Sequence, residues 1–202
     1  MKDRSFILGT GIVVLAVTLS FLFLDRPIFS FTEGLSAGVR DIFEVITFLG
    51  RSESYLVGAF AAFIVYRYFL KRELPANRSI FVFTAIAASG ILINIIKVIL
   101  GRARPILLRE EGLSGFEFFR MGYEYSSFPS GHATTVFALA TAIYLLFPRV
   151  GLAIYAFALA VGASRVILGA HYLSDVLAGA FLGFACTLFL RDYFQRRGRR
   201  VR

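Results

Sequence analysis

Long uncharged stretches of apolar residues alternate along this chain with short polar segments. Six such runs are present: Phe6–Leu24, Ser54–Tyr66, Ser79–Ile96, Ala133–Leu146, Val150–Ser164 and Val176–Leu190. At about 1.5 Å of rise per helical residue, the first run nearly crosses a hydrocarbon core of roughly 30 Å, and the shorter runs need polar residues at their ends. The pattern predicts an all-α, polytopic membrane protein with six transmembrane helices and a single domain over residues 1–202.

The segment 25–53, between the first two runs, is too apolar for a free loop. Its apolar residues recur at the three- and four-residue spacing of an amphipathic helix. They are Ile28, Phe31, Leu35, Val39, Ile42, Ile46 and Leu49. We expect this helix to lie on the outer membrane interface. Met1–Leu24 has the basic start of a signal peptide, but no small-x-small cleavage site precedes Asp25, so we interpret it as the first transmembrane helix.

The composition supports a membrane protein. Hydrophobic residues make up 57% of the chain and charged residues only 17%, which excludes an ordinary soluble domain and a disordered chain. One cysteine, Cys186, excludes an intrachain disulfide framework, and its apolar surroundings in the sequence favour a packing role.

The distribution of charge predicts the topology. If six helices place both termini on one side, the segments on that side carry a charge of +10 and all other segments carry −1, which together give the net charge of +9. Basic residues are retained in the cytoplasm. We therefore expect cytoplasmic termini in the plasma (inner) membrane. The basic tail 191–202 could be an RNA-binding arm, but we favour a topology anchor touching anionic headgroups and expect no nucleic-acid partner.

Three polar clusters interrupt the apolar pattern, and the predicted topology puts all three at the outer membrane face. The first holds Lys97 and Arg104-Pro105, the second Pro129-Ser130-Gly131-His132, and the third Arg165, His171 and Asp175. Ionisable residues in membrane segments are costly and therefore point to function. A single cation near a helix end commonly snorkels to the interface instead, but three clusters on one side favour a common site.

All three clusters supply groups that suit phosphate binding. Lys97 and Arg104 are seven residues apart, about two helical turns, and share a face if the helix persists; Arg165 adds a third cation. Pro129 fits an early helical position, which would leave the N–H groups around Ser130, Gly131 and His132 free for a phosphate oxygen at the positive end of the helix dipole.

The two histidines of the chain fit complementary chemical roles. His171 and Asp175 are four residues apart on one predicted helical face, so the carboxylate can accept the Nδ1–H and leave Nε2 free to attack phosphorus. His132 is then the remaining proton donor for the leaving group. We find no carboxylate cluster or thiolate set with metal-ligand spacing, and we expect no metal and no other cofactor. Gly179 and Gly183 are interpreted as a close helix contact.

These residues resemble the three-part signature of the type 2 phosphatidic acid phosphatase (PAP2) superfamily. The matching positions are Lys97-x6-Arg104-Pro105, Pro129-Ser130-Gly131-His132 and Ser164-Arg165-x5-His171-x3-Asp175. The resemblance covers residues 97–175 and implies a metal-independent lipid phosphatase of six helices. It implies that His171 is the nucleophile, Asp175 its partner and His132 the general acid. It places the phosphate among Lys97, Arg104, Ser130, Gly131 and Arg165.

Several alternatives stay open at this point. The substrate implied by the resemblance is a membrane lipid phosphate: phosphatidylglycerophosphate, phosphatidate, undecaprenyl diphosphate or a lipid A phosphate. The chain could instead transfer the phosphoryl group to another lipid, or bind or transport phospholipid without catalysis. No obligate protein partner is evident. The aromatic loop 107–128 either guides the lipid toward the site or packs on the helix ends.

Overall fold

The computed structural model describes residues 4–199 and residue 201, and these residues form a bundle of α-helices. The helices are α1 (Arg4–Leu19), α2 (Asp25–Glu33), α3 (Ala37–Phe48), α4 (Ser52–Ile64), α5 (Glu73–Leu100), α6 (Pro105–Glu111), α7 (Gly131–Leu146), α8 (Pro148–Ile167) and α9 (Leu173–Arg196). The π-helical turn Ser20–Leu24 joins α1 to α2, and Val65–Phe69 extends α4 in the same way. Within these described residues there is no β-strand, only an isolated bridge between Arg102 and Phe116.

The predicted all-α membrane architecture is confirmed. Five continuous helical segments of the described chain are long and apolar enough to cross a bilayer: Arg4–Glu33, Ala37–Phe69, Glu73–Leu100, Pro148–Ile167 and Leu173–Arg196. The remaining predicted run corresponds to α7, which is apolar but has only 16 residues, about 24 Å of helix.

The short helix α7 lies in the centre of the bundle. It packs against α5, α8 and α9, and most of its small side chains are fully buried, including Ala133, Ala138 and Ala140. The predicted close contact of Gly179 and Gly183 is confirmed, because a Cβ on Gly183 would lie 2.3 Å from the carbonyl oxygen of Thr134 in α7. A helix enclosed by its neighbours needs little contact with lipid, and the predicted count of six transmembrane helices is not confirmed, since α7 is shorter than the five spans.

The predicted end of the first helix at Leu24 is wrong. The helical segment continues through Asp25 to Glu33, and Asp25 is only 3% exposed. A charged residue can stay inside the helix because its carboxylate pairs with the Arg102 guanidinium at 2.7 Å. The expected interfacial amphipathic helix is therefore divided: its first part extends α1, and its second part is α3, which packs against α8.

The C-terminal tail packs at the end of the bundle remote from Asp25. Val201 is 4% exposed and packs with Phe81 and Phe194, and its carbonyl oxygen accepts a 3.0 Å hydrogen bond from Nε of Arg78. Four of the charges used to predict topology, at positions 2, 3, 200 and 202, lie outside the described residues. The cytoplasmic location of this end stays a prediction.

Candidate active site

A cavity of about 990 Å³ lies where α5 ends and α7 begins, at the end of the bundle opposite Val201. Side chains from α3, α4, α5, α7 and α8 form its wall. Six of the eight predicted site residues line it: Lys97, Arg104, Gly131, His132, Arg165 and His171. The other two, Ser130 and Asp175, are fully buried beside it. The structure thus brings all three sequence clusters together.

The expected helical alignment of Lys97 with Arg104 is wrong, although both side chains reach the cavity. Helix α5 ends at Leu100 because Gly101 takes the left-handed backbone conformation, with φ of 55°. A Cβ on Gly101 would lie 1.9 Å from the carbonyl oxygen of Glu117, so a larger residue does not fit. Arg104 follows in an extended conformation, and the reversal of the chain brings it to the cavity.

The loop before α7 fixes the orientation of Arg104. Its Nε donates to the carbonyl oxygen of Tyr123 at 2.8 Å, and its guanidinium carbon lies 3.9 Å from the centre of the Tyr123 ring. A further hydrogen bond of 3.2 Å reaches the carbonyl oxygen of Ala170. Lys97 donates to the carbonyl oxygen of Ser126 in the same loop. The loop therefore holds two cations of the site in place.

The start of α7 differs from the sequence expectation in one respect. The helix begins at Gly131 with Ser130 as its N-cap, so Pro129 lies outside the helix. The N–H of Ser130 is not free for a phosphate, because it donates to the carbonyl oxygen of Asp175 at 3.0 Å. The N–H groups of Gly131 and His132 open the helix, where the first amides have no acceptor within the helix itself. These two amides are the ones suited to an anion.

His171 is held in a single tautomer. Its Nδ1 lies 2.8 Å from the carbonyl oxygen of Ser127 and 3.6 Å from Oδ2 of Asp175. The acceptor within hydrogen-bond distance is therefore a backbone carbonyl, where the sequence indicated the Asp175 carboxylate. A carbonyl oxygen only accepts, so Nδ1 carries the proton and Nε2 keeps its lone pair. Burial lowers the pKa of His171 to about 3, which leaves the ring neutral at physiological pH.

Asp175 organises the backbone and side chains around His171. Its Oδ2 accepts hydrogen bonds from the Ser127 hydroxyl at 2.6 Å and from the Tyr172 N–H at 2.8 Å, and its Oδ1 pairs with Arg102. Ser127 also supplies the carbonyl oxygen that binds Nδ1 of His171. The Asp175 carboxylate therefore positions the His171 ring through Ser127, in addition to lying close to the ring itself.

Two donors at the cavity have no hydrogen-bond partner among the described residues. They are the buried Oγ of Ser130 and the buried Nε of Arg165. The other end of the Arg165 guanidinium is anchored, with NH1 donating to the Thr47 hydroxyl at 2.7 Å. Buried donors without acceptors are rare in folded proteins, and an anion between Ser130 and Arg165 would satisfy both.

Three residues at the end of α3 and in its connection to α4 belong to the cavity and carried no motif in the sequence. Thr47 binds Arg165, Gly50 packs against the His132 ring, and Arg51 adds a further cation to the wall. They lie more than 80 residues from His132, and only their apolar, helical neighbourhood was visible in the sequence. Their positions depend on the packing of α3 against α8.

No group of three or more His, Cys, Asp or Glu side chains that could hold a metal ion occurs in residues 4–199.

The aromatic segment before α7 is only partly a loop. Helix α6 occupies Pro105–Glu111, and a short 3₁₀ turn occupies Tyr123–Tyr125. Its most exposed aromatic side chains are Phe118, Phe119 and Tyr123. Phe116 instead packs on Phe128, with ring centres 5.7 Å apart.

Comparisons with known proteins match most of the chain. The sequence profile described as the PAP2 superfamily matches residues 78–199, which include all three polar clusters. A protein of Rhizobium etli named lipid A 1-phosphatase is 35% identical over 201 residues, covering 93% of this chain and 84% of that protein.

Two solved structures share the fold. The crystal structure of Aquifex aeolicus LpxE matches with a TM-score of 0.63 at 22% identity, covering 84% of this chain and 96% of the other. A transmembrane PAP2 type phosphatidylglycerolphosphate phosphatase from Bacillus subtilis matches with a TM-score of 0.68 at 23% identity, covering 95% of each chain. At these identities the structural likeness establishes the architecture alone.

Proposed function

The chain belongs to the PAP2 superfamily and is a lipid phosphatase, and we propose that it hydrolyses a lipid phosphate at the extracytoplasmic face through a phosphohistidine on His171. The observation that carries this proposal is the pairing of a buried, neutral His171 with a cavity that also contains Lys97, Arg104 and Arg165. Three cations match a phosphate dianion, and the Nδ1–H tautomer leaves Nε2 available as a nucleophile.

The first chemical step transfers the phosphoryl group. Nε2 of His171 forms a bond to phosphorus while the bond from phosphorus to the lipid oxygen breaks. The departing oxygen takes a proton from His132, which acts as general acid. The cations, together with the amides of Gly131 and His132 and the hydroxyl of Ser130, stabilise the charge that develops on the phosphoryl oxygens.

The second step releases phosphate. His132, now unprotonated, removes a proton from a water molecule as the water oxygen attacks phosphorus, and the bond to Nε2 of His171 breaks. Inorganic phosphate leaves and both histidines return to their starting protonation states. No metal is needed to balance either step, so the proposed reaction is metal-independent.

The proposed substrate is the 1-phosphate of lipid A. The support is the 35% identity over nearly the whole chain to a protein named lipid A 1-phosphatase. The cavity volume of about 990 Å³ suits a headgroup larger than phosphate alone, and Arg51 offers a cation beyond the phosphate-binding set. A second candidate reaction, transfer of the phosphoryl group from His171 to another lipid, uses the same first step and replaces water with a lipid hydroxyl.

The test is phosphate release by the purified protein from a panel of lipids. The panel contains lipid A with both phosphates, phosphatidylglycerophosphate, phosphatidate and undecaprenyl diphosphate, each with and without a chelator. We expect inorganic phosphate from lipid A, loss of the 1-phosphate in the recovered lipid, no effect of the chelator, and no turnover by His171→Ala. Phosphorylated lipid acceptors without free phosphate would favour the transferase, and sensitivity to chelator would refute metal independence.

A further inference from the structure

A buried cluster of two carboxylates and one guanidinium lies behind His171. Arg102 pairs with Asp175 through NH1 and with Oδ2 of Asp25 through NH2, the latter at 2.7 Å. The exposed fractions are 2% for Arg102, 3% for Asp25 and 0% for Asp175. Asp175 is a specified residue of the sequence signature, whereas Arg102 occupies one of its unspecified positions and Asp25 lies outside it, so the cluster extends the site to the first helical segment.

Every charged oxygen of Asp25 has a partner. Its Oδ1 accepts from the Ser174 N–H at 3.0 Å and from the Ser20 hydroxyl at 3.1 Å, and its Oδ2 accepts from the Ser174 hydroxyl as well as from Arg102. Burying an unpaired ion is strongly unfavourable, and this complete pairing compensates the burial of the Asp25 carboxylate. Asp25 thereby ties Arg102 to the first turn of α9, where Asp175 lies.

Aromatic rings enclose the guanidinium of Arg102. Its central carbon lies 4.5 Å from the ring centre of Tyr172, 4.9 Å from that of Phe21 and 5.4 Å from that of Phe116. The rings exclude solvent and favour a planar cation over their faces. Because two fixed carboxylates and a ring enclosure define its position, Arg102 holds Asp175 in one orientation.

The charge of the cluster suits the proposed chemistry. Two carboxylates and one guanidinium carry a net charge of −1 beside His171. When Nε2 bonds to phosphorus, Nδ1 keeps its proton because the Ser127 carbonyl cannot receive it, so the ring becomes positively charged. The negative cluster stabilises that cation. Without Arg102, the two buried carboxylates would lose the cation that they share.

We propose that Arg102 and Asp25 are positioning residues that set the orientation and charge of Asp175 and through it the reactivity of His171. This inference rests on the proposed phosphatase function. Arg102 is absent from the wall of the 990 Å³ cavity, whereas Arg104, two residues along the chain, lines it. Loss of Arg102 therefore lowers kcat and leaves KM little changed, while loss of Arg104, which lines the cavity, lowers kcat and also raises KM.

A separate cavity gives a direct way to test the role of the guanidinium. It has a volume of about 300 Å³ and is lined by Asp25, Arg102 and Tyr172 among others. In the described part of the chain, Arg102 Nε and the Tyr172 hydroxyl are buried without hydrogen-bond partners. Truncating Arg102 enlarges this space, so a free guanidinium ion can enter and bridge the two carboxylates.

The experiment compares Arg102→Ala, Arg102→Lys and Asp25→Asn with Arg104→Ala as the matched control. kcat and KM for phosphate release are measured with guanidinium chloride or an equal concentration of sodium chloride, both below denaturing levels. We expect Arg102→Ala to lower kcat by about 10- to 100-fold, as for other residues that orient a reactive group from behind. Guanidinium should restore part of kcat, and sodium should not. Arg102→Lys should stay slow because an ammonium lacks the fork that bridges two carboxylates.

Clear results would overturn the inference. Normal kcat in folded Arg102→Ala, an increase in KM alone, or a lower melting temperature with kcat intact would each show that the cluster is only structural. If Arg102→Ala does not fold, Asp25→Asn decides by the same criteria, since it changes charge with almost no change in shape. A wild-type protein that releases no phosphate from any lipid would refute the proposed function itself, whereas an active wild type with unaffected variants refutes only this inference.

Discussion

The guanidinium of Arg165 donates a hydrogen bond of 2.7 Å to the hydroxyl of Thr47. Arg165 belongs to a signature cluster near the end of α8, whereas Thr47 lies in the last turn of α3, in the segment expected to lie on the membrane interface. The bond leaves the Nε of Arg165 without a protein acceptor among the described residues. Helix α3 is therefore part of the wall of the cavity, and its connection to α4 should influence catalysis.

Gly50 provides a test of this connection. A Cβ at this position would lie 2.5 Å from Cγ1 of Val161 and 3.0 Å from Cδ2 of His132, so Gly50→Ala should displace the His132 ring. A misplacement of about 1 Å can reduce rate by roughly 10²-fold, and overpacking destabilises by about 1–3 kcal/mol. We expect kcat to fall by more than the loss of stability alone would explain. Phosphate release measures kcat, and thermal unfolding in detergent measures the melting temperature.

The matched control is Gly58→Ala in α4, where a Cβ would have no heavy atom within 4 Å. This variant should keep both activity and stability. Equal activity in Gly50→Ala and Gly58→Ala would show that the α3–α4 connection does not constrain His132.

The exposed aromatic side chains before α7 should guide the lipid toward the site. Phe118 and Phe119 are 64% and 71% exposed, and they belong to the segment that holds Lys97 and Arg104. Replacing both with Ser should lower activity on long-chain lipid phosphates more than on short-chain soluble analogues, because only the former need contact with the membrane interface. The measurement is kcat/KM for both substrate types in lipid vesicles.

The control for this prediction is Phe69→Ser, which removes a phenyl ring of 76% exposure from the far end of α4. It should affect neither substrate. An equal loss on long and short substrates in the Phe118 and Phe119 variant would indicate a packing role for the segment.

The sequence predicted the parts of the molecule that depend on local patterns. Apolar periodicity identified the helices, and the spacing of Lys97, His132 and His171 identified groups that meet in one cavity. The chain reversal at Gly101 was missed because one glycine after an apolar run does not reveal that it takes the left-handed conformation that ends α5, and the carbonyl oxygen of Glu117 that leaves no room for a Cβ there is distant in the sequence.

The continuation of the first helix through Asp25 was also missed because it depends on a residue that is distant in the sequence. It follows an apolar run, where a charge usually marks the end of a transmembrane helix, and only its pairing with Arg102, 77 residues away, lets the helix continue. The Ser127 carbonyl that binds His171 is a backbone group, and a backbone acceptor leaves no signature in the sequence.

Cysteine labelling tests the predicted topology. In a Cys186→Ala background, Ser36→Cys and Gln195→Cys each introduce an exposed thiol, one beside α3 and one near the end of α9. The excess of basic residues at the predicted cytoplasmic end should keep Gln195→Cys inside. A membrane-impermeant maleimide added to intact cells should therefore label only Ser36→Cys. Labelling of both positions from the same side would refute the outward orientation of the site.

The protonation of His171 can be followed by ¹⁵N NMR of the imidazole nitrogens. Burial lowers its pKa to about 3, so the ring should remain neutral, with the proton on Nδ1, from pH 8 down to pH 5. An unfolded histidine titrates near pH 6.5, so the folded state binds fewer protons between these two values and is stabilised as pH rises through that window. The chain has only two histidines, so a His132→Ala sample isolates the signal. A titration midpoint near pH 6.5 would contradict the buried, neutral nucleophile.

The roles of His171 as nucleophile and His132 as general acid can be distinguished with substrates whose leaving groups differ. His171 attacks phosphorus in every substrate, so His171→Ala should abolish turnover of all phosphate esters. General acid catalysis by His132 typically contributes about 10²–10⁴-fold and matters less when the departing oxygen is already a weak base. His132→Ala should therefore strongly slow the first step, formation of the phosphohistidine, with a lipid monoester and slow it much less with an activated aryl phosphate, with a lipid diphosphate between them.

The His132→Ala protein should also accumulate an acid-labile phosphohistidine from the aryl phosphate, because the second step still needs a base to activate water. Rapid quenching in alkali after mixing with a ³²P-labelled aryl phosphate measures this intermediate, and the double variant lacking both histidines is the control. Both residues line the same cavity, so either could in principle be the nucleophile. Should His171→Ala retain aryl phosphatase activity while His132→Ala loses it, the two roles would have to be exchanged, since only the nucleophile is needed for every leaving group.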